Sequence, residues 1–300
     1  MAPLDYSGPL TPSGNLRRRQ RVDLVMRAGA TAAAGFAVIV LGIVVASVAI
    51  KGASSLSLNF LTSSPPLFPS PTGPIGGIAP MIVGTLLIVA FATAIAVPFG
   101  VLTAIFLSEF ARARTAWPIR LALDLLNGLP SIVIGVFIYG LIVIAHGDSG
   151  IAGSIALAII MLPLIARATQ EVLRLVPQSQ RDAAAALGIS KWRTTVGVVL
   201  PSALGGIITG TVLAVARAAG ETAPVLLVSS LYGSGSSVEL NMFHNAMPNI
   251  PVQIFFLSEQ DSASAHAAAW GAALVLMGMI LIASLSARYL HARSRRKMFR

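Results

Sequence analysis

Six stretches of this chain are apolar for long enough to cross a lipid bilayer, and that pattern decides its class before any motif is read. Ala28–Ile50, Ile78–Ser108, Leu125–Ala145, Ser149–Ala166 and Ala267–Ala287 hold no Asp, Glu, Lys or Arg, and Val196–Leu231 is interrupted only by Arg217 and Glu221. A span takes roughly 17–25 predominantly apolar residues, so each stretch crosses once. Hydrophobic residues are 55% of the chain and charged ones 11%, against roughly 25% charged in soluble domains. An ordinary water-soluble enzyme and a disordered chain are both excluded. The expected fold is all-α, a polytopic membrane protein with six transmembrane helices. The first stretch is basic at its start like a signal peptide, but its 23 apolar residues exceed an h-region of about 7–15, so it is expected to stay as a span.

The net charge of +10 does not make the chain a nucleic-acid binder, because of where the charge sits. All but two of the 21 Lys and Arg fall at the N-terminus, in the second and fourth connections, or after the last span. The two exceptions are Lys51 and Arg217. The intervening connections carry Asp148, Glu239, Glu259 and Asp261 instead. This asymmetry predicts a multi-pass plasma-membrane protein with both termini cytoplasmic, its basic residues lying beside membrane lipid. No disulfide or thiolate metal site is possible, because the chain has no cysteine.

The connections divide the chain further. Residues 1–27 read as a cytoplasmic tail. Residues 28–77 hold the first span and an external linker rich in proline (Pro65, Pro66, Pro69, Pro71, Pro74), which reads as extended. Residues 78–290 form a five-helix domain with a cytoplasmic loop at 167–200, and residues 291–300 a basic tail. In the third outer segment, Gly233-Ser234-Gly235-Ser236-Ser237 reads as flexible, and the apolar stretch Asn249–Leu257 is a candidate to pack on the protein or touch an external partner.

Two features carry chemistry. The first is Asp182-Ala183-Ala184-Ala185-Ala186-Leu187-Gly188, followed by Val198-Val199-Leu200-Pro201. It reads as a short helix with Asp182 in its first turn, favourable against the helix dipole. Gly188 serves as a left-handed C-cap, and Pro201 opens the next helix. Such a helix suits either a groove on a partner or the headgroup layer, the latter helped by Trp192. The second is Arg217 with Glu221, four residues apart and so on one helical face. Arg217 falls roughly 24 Å beyond Pro201 at 1.5 Å per residue, inside the hydrocarbon. The pair suits either a salt bridge locking two helices or a site for an anionic substrate. Gly206 and Gly210, spaced GxxxG, read as helix packing. No phosphate-cradling G-x-x-x-x-G-K-[ST], H-E-x-x-H or G-x-S-x-G occurs. His146, His244, His266 and His291 are scattered without metal-ligand spacing, so an enzyme is not expected.

The Asp182–Pro201 stretch resembles the E-A-A-x-x-x-G-x9-I-x-L-P loop of ABC-importer permeases, with Asp182 in place of Glu and Val198 in place of Ile. Arg217-Ala218-Ala219-Gly220-Glu221-Thr222-Ala223-Pro224 is similar to the R-A-x-G-E-T-A-P segment of PstA-type permeases of phosphate-specific ABC importers. Gly77-Ile78-Ala79-Pro80, Leu107-Ser108-Glu109, Pro130-Ser131-Ile132-Val133 and Pro251-Val252-Gln253-Ile254 extend the resemblance over the chain from about Gly76. It implies a type I ABC-importer permease core that moves inorganic phosphate inward. Asp182, Ala183, Ala184, Leu187, Gly188, Leu200 and Pro201 would couple it to an ATPase, and Arg217, Glu221, Thr222 and Arg167 would line the substrate pathway. The implied partners are a PstC-type permease, a PstB-type ATPase dimer that uses ATP and Mg, and a PstS-type external phosphate-binding protein. No cofactor is implied for this chain. The alternatives are a permease for a related oxyanion, and a secondary anion transporter, which would need no docking loop.

Overall fold

A computed structural model describes residues 15–66, 76–229, 238 and 240–298. Much of the proline linker, including Pro69, Pro71 and Pro74, lies outside the described residues, as does Gly233–Ser237. Among the described residues the regular elements are all helical. The series opens with α1 (Asn15–Ala53), α2 (Leu58–Thr62), α3 (Ala79–Ile105), α4 (Ala113–Gly128), α5 (Ser131–Ile138), α6 (Ile144–His146) and α7 (Gly150–Arg174). It continues with α8 (Gln178–Ala186), α9 (Lys191–Thr194), α10 (Leu200–Ala219), α11 (Ala223–Val228), α12 (Ile250–Ser258) and α13 (Ala263–Met298). Wide π-turns at Tyr139–Val143 and Thr195–Val199 join neighbouring pieces into longer rods, and another at Phe106–Phe110 ends α3.

The chain divides into two units, residues 1–50 and 51–300. In the first, α1 exposes Phe36, Val38, Leu41 and Ile43, the surface a helix needs where its solvent is lipid. In the second, α3 and α7 form the core. Ile88, Ala92 and Ala96 of α3 are buried against Leu157, Met161 and Ile165 of α7.

Among the described residues five helices are long and apolar enough to cross a membrane, and six spans result if one bent pair counts as a single crossing. That pair takes in the expected third span, Leu125–Ala145, and starts earlier. The apolar stretch is broken by a 101° bend between Ala113–Gly128 and Ser131–His146. Pro130 is the cause. A residue before proline is pushed out of the helical region, and Leu129 is extended at φ −70°, ψ 137°.

The expected fifth span, Val196–Leu231, also differs. The rod starts earlier, at Lys191, and stops at Ala219, and the chain resumes as α11 after Glu221 and Thr222. Pro201 lies in the first turn of α10, yet a π-turn carries the helix straight through it, with Leu200 N–H donating to the Thr195 carbonyl. Proline brings no N–H, and the wider turn absorbs the lost rung.

On α10, Gly206 and Gly210 face α7 as their spacing predicts. A Cβ on Gly206 would stand 2.5 Å from the Val172 side chain, and one on Gly210 2.5 Å from Ala168 Cβ. The outer segment packs inward: α12 buries Ile250, Val252 and Leu257 with α3 and α13, and Ile250 N–H donates to Thr85 Oγ1 at 2.9 Å. Replacing Gly210 by leucine should cost about 1–3 kcal/mol by overpacking, read as a lowered melting temperature in nanodiscs. An unchanged melting point would show that the helices do not meet there.

Candidate functional site

The loop between α7 and α10 contains α8, whose end is built as its sequence suggests. Gly188 adopts φ +72°. Its N–H donates to the Ala185 carbonyl at 2.9 Å, and Ile189 N–H donates to Ala184 at 3.0 Å. Those two bonds are a Schellman cap, which needs a residue tolerant of the left-handed region. The helix starts at Gln178, earlier than expected, so Asp182 is not in its first turn. Asp182 instead accepts from Gln178 Nε2 at 3.1 Å, one turn back. Asp182, Ala183 and Leu187 are exposed and Ala184 is turned inward. Leu187, 79% exposed, has the profile of an apolar knob awaiting a hole.

What anchors α8 was not apparent from the sequence. Arg181 reaches a carboxylate 72 residues away: its Nη2 donates to Glu109 Oε1 at 2.8 Å and its Nε faces Oε2 at 3.4 Å. The same guanidinium donates to the carbonyls of Val176 at 2.7 Å and Leu173 at 3.0 Å. Glu109 is buried in the π-turn that ends α3, and the two carbonyls lie at the end of α7. One cation therefore joins α3, α7 and α8. Beside it opens a cleft of about 750 Å³, lined in part by Glu109, Arg120, Arg181 and Asp182.

Arg217 and Glu221 do not share a helix as their spacing suggested. Arg217 is in the last turn of α10, and Glu221 follows the helix end at Gly220. They still meet, Arg217 Nε standing 3.6 Å from Glu221 Oε1, an ion pair longer than a good hydrogen bond. The Arg217 side chain is 58% exposed and that of Glu221 17%. Arg217 continues an exposed stripe of α10 through Ser202, Thr209 and Leu213. Thr222 precedes α11 and makes no side-chain cap. Arg167 is elsewhere, on α7, in an ion pair with Asp124 of α4. The Gly206–Val172 and Gly210–Ala168 contacts run α10 and α7 antiparallel, which sets Arg167 about 10 Å along the axis from Arg217. Among the described residues no group of three or more His, Asp or Glu could hold a metal ion.

Residues 96–296 match the family described as binding-protein-dependent transport system inner membrane component. Fold and match together define the class: a multi-pass permease subunit of an ABC importer, which works with a permease partner, an ATPase and a substrate-binding protein. Over 226 residues the chain is 38% identical to phosphate transport system permease protein PstA 1 of Mycobacterium tuberculosis (strain ATCC 25618 / H37Rv), covering 74% of this chain and 72% of that one. Over 247 residues it is 38% identical to phosphate transport system permease protein PstA of Yersinia pestis, covering 82% and 81%. The chain belongs to the PstA family of ABC-importer permeases. The fold is shared with a bacterial alginate ABC transporter (TM-score 0.63, 12% identity, 93% of this chain and 98% of that one). It is also shared with the MetNI methionine ABC transporter (TM-score 0.53, 15% identity, 71% and 92%).

Breaking a buried ion pair by removing one partner costs about 3–5 kcal/mol, whereas an exposed surface change costs within about 0.5 kcal/mol. Thermal unfolding should therefore separate two acids of this region. Glu109→Ala strands Arg181 and should destabilise strongly, while Asp182→Ala should leave the melting point nearly unmoved. Equal effects would mean that Arg181 does not hold the loop.

Proposed function

We propose that this chain carries inorganic phosphate inward as the PstA-type half of a permease heterodimer. A PstC-type subunit supplies the other half, a PstB-type ATPase dimer drives it, and a PstS-type external protein delivers the anion. The basic connections, suited to acidic lipid, support a cytoplasmic side for both termini and the α7–α10 loop, with residues 1–27 and 291–300 as cytoplasmic tails. The five-helix domain, residues 78–290, carries the path, and residues 167–200 couple it to ATP hydrolysis.

The observation that carries the reading is the Arg217 guanidinium, on an exposed helix stripe at a break in a membrane-spanning rod and held by one long ion pair. Phosphate bears between one and two negative charges near neutral pH. A guanidinium offers it two parallel N–H donors, which an ammonium cannot match. Glu221 competes for the same donors and keeps binding reversible, with Thr222 at the same break. Arg167, paired with Asp124, is the next cation an inward-moving anion meets.

Coupling starts at α8. ATPase closure grips Asp182, Ala183 and Leu187, and the Gly188 cap lets the helix move as one body with Ala184 against the protein. Arg181 passes the motion to α3 and α7 through Glu109 and the α7 carbonyls. Leu200 and Pro201 pass it along the continuous rod to Arg217.

In proteoliposomes holding the whole importer, Arg217→Ala should lower phosphate uptake at least about tenfold, the equivalent of one lost charged hydrogen bond, with Arg217→Lys between. Undiminished uptake by an assembled Arg217→Ala complex removes the reading, and ATPase activity stimulated by another tetrahedral oxyanion in place of phosphate changes the cargo. Gly188→Pro should leave ATP hydrolysis unresponsive to the loaded binding protein, and a normal response would count against α8 as the lever.

A further inference from the structure

Asn249 has one half of its amide in use and the other half bare. Its Oδ1 accepts Val252 N–H at 3.0 Å and caps α12. That bond fixes which way the amide is turned, because only the oxygen can accept. The Nδ2 group on the other side is buried and has no hydrogen-bond partner, in a residue only 3% exposed. A buried amide donor without a partner is costly, and native proteins keep few of them.

The bare donor has a neighbour of the right chemistry. Asn249 and Glu221 line one small cavity with about 10 Å³ of water-sized space. The other hydrogen-bonding side chain of the lining, Thr85, is fully committed: its hydroxyl donates to the Met81 carbonyl at 2.7 Å and accepts Ile250 N–H at 2.9 Å. The rest of the wall is apolar, with Ile88, Leu157 and Val225 among it. Asn249 is thus the one side-chain donor of this lining, among the described residues, with protons to spare.

Glu221 has a matching need. Its side chain is 17% exposed, and its ion pair with Arg217 is already long at 3.6 Å. Arg217 is the exposed member of the pair, the one that can turn toward a ligand. Once it does, a largely buried carboxylate loses its countercharge, and a charged group left so must find another partner.

The geometry points to Asn249 as a positioning residue of the anion site: its Nδ2 receives the Glu221 carboxylate, directly or through one water in the cavity, when an anion takes Arg217. Glu221 then exchanges between two donors, and a contact from the start of α12 offsets the cost of freeing Arg217. The inference rests on the reading of Arg217 as the anion contact.

The test is equilibrium binding of ³²P-phosphate to the intact permease–ATPase complex, without the external binding protein. Asn249→Ser keeps an oxygen to cap α12 and removes the Nδ2 group, leaving only a hydroxyl proton on a shorter side chain. It should raise the half-saturating phosphate concentration about tenfold, the value of one charged hydrogen bond. Asn249→Asp, which also caps, should raise it further by repelling Glu221. In a Glu221→Gln background the serine change should move it by less than about twofold, since the carboxylate that needed the donor is gone. No shift in the wild-type background, or the same shift in both, overturns the role, because a purely structural effect would carry over. Infrared difference spectra of the unaltered complex report the same exchange without touching Asn249. The Glu221 carboxylate band, assigned by its loss in Glu221→Gln, should move on phosphate addition, and a stationary band overturns the proposal. Arg217→Ala separates the two ideas. Retained binding there removes the underlying anion reading, whereas lost binding with a silent Asn249→Ser removes only the part played by Asn249.

Discussion

Lipid offers no hydrogen bonds, so a backbone crossing it must satisfy itself or be covered by protein. That constraint explains where this chain is regular and where it is not. Along α3, α7 and the rod from Lys191 to Ala219 the helix runs on, past Pro98 and Pro163 and through wide turns at Phe106–Phe110 and Thr195–Val199. Outright breaks occur at Leu129–Pro130 and after Gly220, and both stay packed. α11 leans on α5 so closely that a Cβ on Gly135 would stand 2.7 Å from Pro224 Cα. The second break is also where Arg217 and Glu221 stand.

The two functional regions are built in opposite ways. The loop region is tightly tied: four acceptors converge on the partly buried Arg181 guanidinium. The Arg217 region leaves its interactions loose, a long ion pair and an idle amide within reach of one small cavity. Under the proposed function α8 is a lever, which must be stiff, and Arg217 meets a cargo that must be released, and the contrast supports that reading.

Much of this was legible in the sequence because its signals are local. Apolar length marked the spans, glycine at position 188 marked a left-handed cap, and the Gly206–Gly210 spacing marked the face turned to α7. The errors also have local causes. Charge-free length cannot report a bend, so Leu125–Ala145 read without one although Pro130 sits inside it. An i, i+4 spacing assumes the helix continues, and Gly220 ended it between Arg217 and Glu221. What stayed invisible was non-local. Nothing near Arg181 names Glu109, 72 positions away. Asn249 read as the first residue of an apolar stretch until α12 was seen folded against α3.

The wide turn at Phe106–Phe110 has a consequence for how this chain can change. Ala111 N–H closes on the Phe106 carbonyl at 2.7 Å, five residues back instead of four, so the turn holds one residue more than a regular helix would. Dropping one residue there would restore ordinary winding, four residues at about 100° each in place of five, and leave the downstream chain pointing nearly as before. The segment can therefore shorten by one residue at little cost to the rod, provided that the residue lost is not Glu109, whose carboxylate holds Arg181.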